Sequence, residues 1–180
     1  MSDIVQAAAP DQLDDVRDLM RAFVGWHRRR HTEDIALIDR YFDADEFEQE
    51  LAGLPGLYAP PKGCLLLART GGEAAGCVAL RDLGGNVCEM KRMFIYDHLR
   101  GRGIGRALVK RILLEASNAG YERMRLDTSV RQTEAIGLYE SAGFERIEPY
   151  YPLPDDLKNW LVFLELNFKN HGQSAATGHV

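Results

Sequence analysis

A chain of 180 residues can bury one sizeable core, and 46% apolar with 27% charged residues is ordinary for a soluble globular protein. Its formal charge of −5 argues against the broad basic footprint of a nucleic-acid-binding protein, though not against a small local basic site. No run approaches the roughly 20 apolar residues of a membrane span.

The first ten residues lack the basic start and apolar stretch of a signal peptide, so a cytoplasmic location is expected. Ile4–Ala7 reads as a short opening strand, and Pro10-Asp11 as a helix start, because proline suits the first helical position. Leu13, Val16, Leu19, Met20, Phe23 and Val24 recur at three- and four-residue steps, one apolar face of an amphipathic helix reaching Arg30. The run Arg28-Arg29-Arg30-His31 complements the dipole at the end of that helix, a simpler account than an anion site. Asp34–Gly53 predicts one or two further short helices, with Ile35, Leu37, Ile38, Phe42, Phe47 and Leu51 turned inward. Pro55-Gly56 and Pro60-Pro61 then break the chain into a loop carrying Leu57 and Tyr58.

At Cys64 the period changes. Cys64–Thr70, Ala74–Leu83 and Val87–Ile95 read as three strands joined by Gly71-Gly72 and Gly84-Gly85-Asn86, an antiparallel meander. The third does not alternate cleanly, since a strict period of two puts Glu89 and Lys91 on the face of Met93 and Ile95. A bulge near Lys91–Phe94 resolves the conflict, and bulges are common beside active sites. A helix follows with Ile104, Ala107, Leu108, Ile112, Ala116 and Ala119 on one side and Gly120 at its end. Arg123–Thr128 is the next strand, and the strand–helix–strand connection favours a parallel pair. Gln132–Ala142 reads as a short helix stopped by Gly143. Phe144–Tyr150 and Leu161–Phe168 read as closing strands around a loop at Tyr151–Asp156, and Lys169–Val180 as a polar, mobile tail. Cys64, Cys77 and Cys88 fit neither a disulfide framework nor a paired metal motif, so reduced, partly buried thiols and no metal are expected.

Between the third strand and its helix lies Arg100-Gly101-Arg102-Gly103-Ile104-Gly105-Arg106. Glycines let the backbone come close to a ligand. The unpartnered first N–H groups of a helix, with its dipole, make an anion site. Arg100, Arg102 and Arg106 add positive charge, so the loop reads as a pocket for a diphosphate. Spacing decides which diphosphate. A dinucleotide fingerprint needs Gly-x-Gly-x-x-Gly/Ala, but its third place holds Arg106 counted from Gly101 and Leu108 counted from Gly103. The Gly-Lys-Ser/Thr of a Walker A loop is missing too. A nicotinamide-dependent enzyme is therefore disfavoured.

What fits is Arg/Gln-x-x-Gly-x-Gly/Ala, with Arg100, Gly103 and Gly105 in its fixed places, followed downstream by Ala135-x-x-Leu138-Tyr139-x-x-x-Gly143-Phe144. In this order and on these elements, the two segments resemble the acyl-CoA pyrophosphate loop and the A-x-x-L-Y-x-x-x-G-F segment of the GNAT superfamily of N-acetyltransferases. The specific match spans Glu89 to Phe144, and the order of elements from Ile4 to Phe168 is compatible with the family.

The resemblance implies an α/β (α+β) fold: a mixed, mostly antiparallel seven-stranded sheet flanked by helices, with two splayed parallel central strands. It implies one domain over residues 1–168, followed by the tail 169–180. Acetyl-CoA would be the cofactor, without a metal. Its phosphates would lie on Arg100, Gly101, Arg102, Gly103, Ile104, Gly105 and Arg106. Its pantetheine arm would lie in the gap between Met93-Phe94-Ile95 and the Arg125–Ser129 strand, where unpaired backbone groups need partners. An amide at Phe94 or Ile95 would polarise the thioester carbonyl.

The family reaction is direct acetyl transfer to an amine, here of a small molecule or a protein; the architecture also admits a homodimer through a sheet edge. With an alkyl amine pKa near ~10.4, roughly one molecule in a thousand is neutral at pH 7, so a base helps. Glu89 is the candidate base; its simpler alternative is an ion pair with Lys91 or a cross-strand arginine. Tyr139 is the candidate acid for the departing thiolate; its alternative is a core aromatic on an apolar helix face. Trp26, His27 and Tyr58 on one side, and Tyr150, Tyr151 and Trp160 on the other, would border the acceptor, with core packing the competing account for each. Cys88 has no histidine near it in sequence and is not read as a nucleophile. A non-catalytic acyl-CoA-binding sensor is the second reading.

Overall fold

The computed structural model describes residues 2–171. Strand β1 (Ser2–Gln6) leads into helix α1 (Pro10–Arg30), which has Pro10 in its first turn and basic residues in its last. The buried stripe of α1 runs through Val16, Leu19, Met20 and Phe23 and continues one turn further, to Trp26 and His27. Two short helices, α2 (Ile35–Tyr41) and α3 (Ala44–Ala52), follow where helix was expected. Asp43 starts α3 by accepting from the N–H groups of Asp45 and Glu46, which satisfies two donors the helix cannot.

Strands β2 (Cys64–Thr70), β3 (Glu73–Gly84), β4 (Val87–Ile95), β5 (Arg123–Ser129), β6 (Glu145–Ile147) and β7 (Leu161–Asn167) join β1 in one seven-stranded sheet. Its order is β1-β2-β3-β4-β5-β7-β6. β4 and β5 are its parallel neighbours; the other neighbouring pairs are antiparallel. Helices α4 (Ile104–Asn118) and α5 (Thr133–Ser141) cover one face, while α1, α2, α3 and α6 (Asp155–Trp160) cover the other. Burial on both faces explains why Cys64–Thr70 reads as a continuous apolar run. Leu66 and Ala68 pack under α4, and Leu65 and Leu67 pack under α1. Each fully buried leucine contributes about 1.5–3 kcal/mol.

The irregularity expected in β4 is present. Cys88 and Met90 belong to the core beneath α4, yet Phe94 belongs to the opposite core, while Met93 and Ile95 pack toward α4. Facing parity therefore flips between Met90 and Met93. The register against β3 shifts there, from Ala79↔Lys91 to Cys77↔Phe94, and Arg92 adopts a left-handed φ of 57°. This is a β-bulge, and it re-aims the end of the strand.

Two closing elements differ from expectation. β6 stops at Ile147 rather than reaching Tyr150, because Pro149 lacks a ladder donor and restricts Glu148. Asp155–Trp160, in part expected as loop, forms helix α6, with Asp155 and Asp156 at its positive N-terminus and Leu157 and Trp160 buried. Phe168 leaves the sheet and begins the short helix α7 (Phe168–His171). The expected tail from residue 172 onward lies outside the described residues. No helix among the described residues is long and apolar enough to cross a membrane.

Candidate active site

The parallel pair is short. β4 and β5 pair only at Val87↔Arg123, Cys88↔Met124 and Glu89↔Arg125. Beyond Glu89, β4 stays on β3 and β5 stays on β7, so the two strands part and a gap opens between them. Tyr96 N–H donates to Ala75 O at 3.1 Å, toward β3. Successive backbone groups alternate sides along a strand, so the Ile95 amide faces the gap. Its carbonyl points the same way and accepts from Arg100 Nε at 3.2 Å. Of the two amides named from the sequence, that of Ile95 faces the gap and that of Phe94 faces β3.

After β4, a single turn at Asp97–Leu99 leads into the glycine loop. Gly103 immediately precedes α4 with φ 80°, a left-handed conformation costing other residues about 1–2 kcal/mol. At Gly105 a Cβ would lie 3.3 Å from Ile95 Cδ1 and 3.4 Å from Leu138 Cδ2, so the first turn of α4 sits tight against β4 and α5. Its open N–H groups look onto a cleft of ≈ 780 Å³. Met93, Phe94, Ile95, Arg100, Gly101, Gly103, Ile104, Gly105 and Arg106 all line it. Arg102 is exposed and does not. Arg100 does, but its guanidinium lies 4.3 Å from the Trp26 ring centroid and pairs with Asp97 at 3.0 Å. It braces the loop against α1 and the end of β4.

A second, smaller space of ≈ 50 Å³ lies between the parted strands themselves. Met90, Lys91, Arg92 and Met93 form one wall, and Leu126, Asp127, Thr128 and Ser129 form the other. His27, Tyr41 and Trp160 close it from α1, α2 and α6. Phe23, Met93, Gln132 and Tyr139 border both spaces.

Tyr139 is 5% exposed and packs on Phe144 with ring centroids 6.0 Å apart. Its hydroxyl has no hydrogen-bond partner among the described residues. Burial, helped by the Asp127 charge, pushes its pKa well above that of an ordinary phenol. Glu89 is elsewhere. It is 2% exposed, with Lys91 Nζ at 3.0 Å and Arg81 Nη2 at 3.2 Å, and it lines neither space. Trp26 lines the large cleft, and His27 and Trp160 line the small one. Tyr151 donates its hydroxyl to Asp127, whereas Tyr58 donates to Glu50 at 2.6 Å and serves the α3 side of the core. Tyr150 packs edge-on against Phe163. The three cysteines are buried and unpaired, and burial pushes the Cys88 thiol up to about 12.

Asp127 and Gln132 were not singled out from the sequence. Asp127 accepts from Tyr41 through Oδ1 and from Tyr151 through Oδ2. Its one sequence-level signal is an acid at the facing position occupied by Arg123 and Arg125 earlier in the strand. Arg92, also overlooked, pairs with Glu50 through Nε at 2.9 Å and Nη2 at 2.6 Å, and rests on Phe42 and Phe47. It ties the bulge to α3.

The chain is similar to known proteins. The acetyltransferase (GNAT) family model matches residues 17–144. An uncharacterized N-acetyltransferase of Schizosaccharomyces pombe is 36% identical over 150 residues, covering 81% of this chain and 85% of its own length. The IAA acetyltransferase of Azospirillum brasilense is 40% identical over 132 residues, covering 71% and 84%. PaiA N-acetyltransferase of Thermoplasma acidophilum, solved in complex with coenzyme A, superposes with a TM-score of 0.69 over 93% of this chain and 99% of that one. At 14% identity that last likeness is one of fold. With a glycine loop over a deep cleft, two central strands that part, and a match over most of its length, the chain belongs to the GNAT family of acetyltransferases.

Proposed function

We propose that the protein transfers an acetyl group from acetyl-CoA to a primary amine of a small molecule or a protein. The observation that carries this reading is the shared wall: Tyr139 borders both the large cleft and the small space, at the point where β4 and β5 part. A cleft of ≈ 780 Å³ lies within the usual range for a cofactor site. The backbone of Gly101, Gly103, Ile104 and Gly105 and the charge of Arg106 would hold the pyrophosphate, with Arg102 at the rim. Arg100 would hold the loop rather than the phosphates. Met93, Phe94 and Ile95 would line the pantetheine arm, and the cofactor supplies an activated acetyl thioester.

The Ile95 N–H faces the gap, where it would donate to a carbonyl oxygen that gains negative charge. The amine would approach from the small space. As the new C–N bond forms and the C–S bond breaks, an entering ammonium gives up two protons. One ends on the departing sulfur, delivered by the Tyr139 phenol and replaced from the amine; the other goes to solvent. Burial keeps that phenol protonated and ready. Glu89 would act from behind the wall, by fixing Lys91, whose side chain lines the acceptor space.

The test is a free-thiol assay with acetyl-CoA and a panel of primary amines. Release of CoA that depends on the amine, with acetylated amine found by mass spectrometry, is the expected result. Tight acetyl-CoA binding with no release above background would overturn the reading and leave a binding module.

A further inference from the structure

Asp127 lies where β5 has left β4, half-buried in the wall of the small space. Both of its oxygens accept from phenols, those of Tyr41 and Tyr151, and no cation of the described residues is within ion-pairing distance. The two cations lining the same space are already paired, Lys91 with Glu89 at 3.0 Å and Arg92 with Glu50 at 2.6 Å. The rings of Phe23, Tyr41, Phe42 and Trp160 line the same space. His27 completes the lining; it is 1% exposed, and neither Nδ1 nor Nε2 has a hydrogen-bond partner.

A half-buried carboxylate without a counter-ion, held only by two phenols, is in a costly position. A buried imidazole with two idle nitrogens is another. Both costs fall when one cationic donor enters. An ammonium pairs with the carboxylate, donates to the imidazole, and gains from the ring faces. With Lys91 and Arg92 both engaged, no cation is left for an acceptor that carries a carboxylate beside its amine. At ≈ 50 Å³ between two strands the space is narrow, which favours a nitrogen on an unbranched carbon.

We infer that this space is the acceptor site and that it selects slim, unbranched alkylammonium groups, Asp127 pairing with the ammonium and His27 accepting one of its hydrogens. A free alkylamine and a lysine side chain share that chemistry. The inference rests on the acetyl-transfer reading and names its acceptor class.

The test uses the full chain with acetyl-CoA and three amines: n-butylamine, Nα-acetyl-lysine amide and alaninamide. Alaninamide carries a branched α-amine with a pKa near ~8, against ~10.4 for the other two, so a site without selectivity favours it at pH 7. The expected result is a kcat/KM for n-butylamine or the blocked lysine at least about tenfold above that for alaninamide. Whichever of the two is faster separates a free amine from a protein side chain, and either supports the inference. Asp127→Asn should raise the amine KM about 10- to 100-fold while acetyl-CoA affinity by calorimetry stays within about twofold. Preference for alaninamide, or an unchanged amine KM in a folded Asp127→Asn protein, overturns the inference while leaving acetyl transfer standing. If Asp127→Asn does not fold, the wild-type panel decides alone. Acetyl-CoA binding with no turnover of any amine would sink both readings together.

Discussion

Acidification from pH 7 to pH 5 should weaken the fold through one side chain, His27. Burial pushes its pKa down from 6.5 to about 4; the neighbouring His31 adds to the shift and Asp34 opposes it. It is 1% exposed among Phe23, Trp26 and Trp160, and neither ring nitrogen is partnered. The folded protein therefore keeps His27 neutral down to about pH 4, whereas the unfolded chain takes up the proton near 6.5. Between those values the unfolded state binds more protons, so stability is complete above the window and is lost as the pH falls through it. By pH 5 the loss from this group reaches about 2 kcal/mol. His27→Phe keeps an aromatic ring in place and cannot titrate. Urea unfolding of both proteins at pH 7 and pH 5 isolates the effect, since His31 and the carboxylates contribute to each. Wild type should lose about 2 kcal/mol more than the variant over this interval. Parallel losses would refute the claim that a neutral imidazole lines the smaller space.

Two further substitutions separate roles within the site. Tyr139→Phe should lower kcat about 10²-fold while leaving the acetyl-CoA KM within about twofold, as steady-state kinetics will show; unaltered turnover would return Tyr139 to the core. Glu89→Gln should cost about 2 kcal/mol in thermal unfolding, because it weakens the pairs with Arg81 and Lys91, and should raise the amine KM more than it lowers kcat. A kcat loss of about 10²-fold with an unchanged amine KM would instead make Glu89 a direct base.

What the sequence disclosed follows from what local chemistry constrains. Arg100, Gly103 and Gly105 announced the loop because a left-handed residue and a close approach to Ile95 admit few side chains. The bulge in β4 was legible as a conflict of period, and Arg92 at φ 57° resolves it. Arg100 was read as charge for the phosphates, yet spacing says nothing of direction, and its guanidinium lies on Trp26. Asp127 passed unnoticed because its meaning comes from Tyr41 on α2 and Tyr151 before α6, partners far away in the chain. The isolation of His27 was hidden for the same reason: core packing was one of two accounts given for it, and neither foretold that its ring nitrogens lack a partner.

The account depends above all on the cleft beneath the glycine loop holding acetyl-CoA, and calorimetry on the wild-type protein and Gly105→Val tests this directly. Valine at 105 would press on Ile95 Cδ1 and Leu138 Cδ2, already 3.3 and 3.4 Å from a bare Cβ, and would displace the first turn of α4. Saturable binding by the wild type, weakened at least about tenfold in a folded variant, is the predicted result. No heat of binding from the folded wild type, or equal affinity in the two proteins, would contradict it.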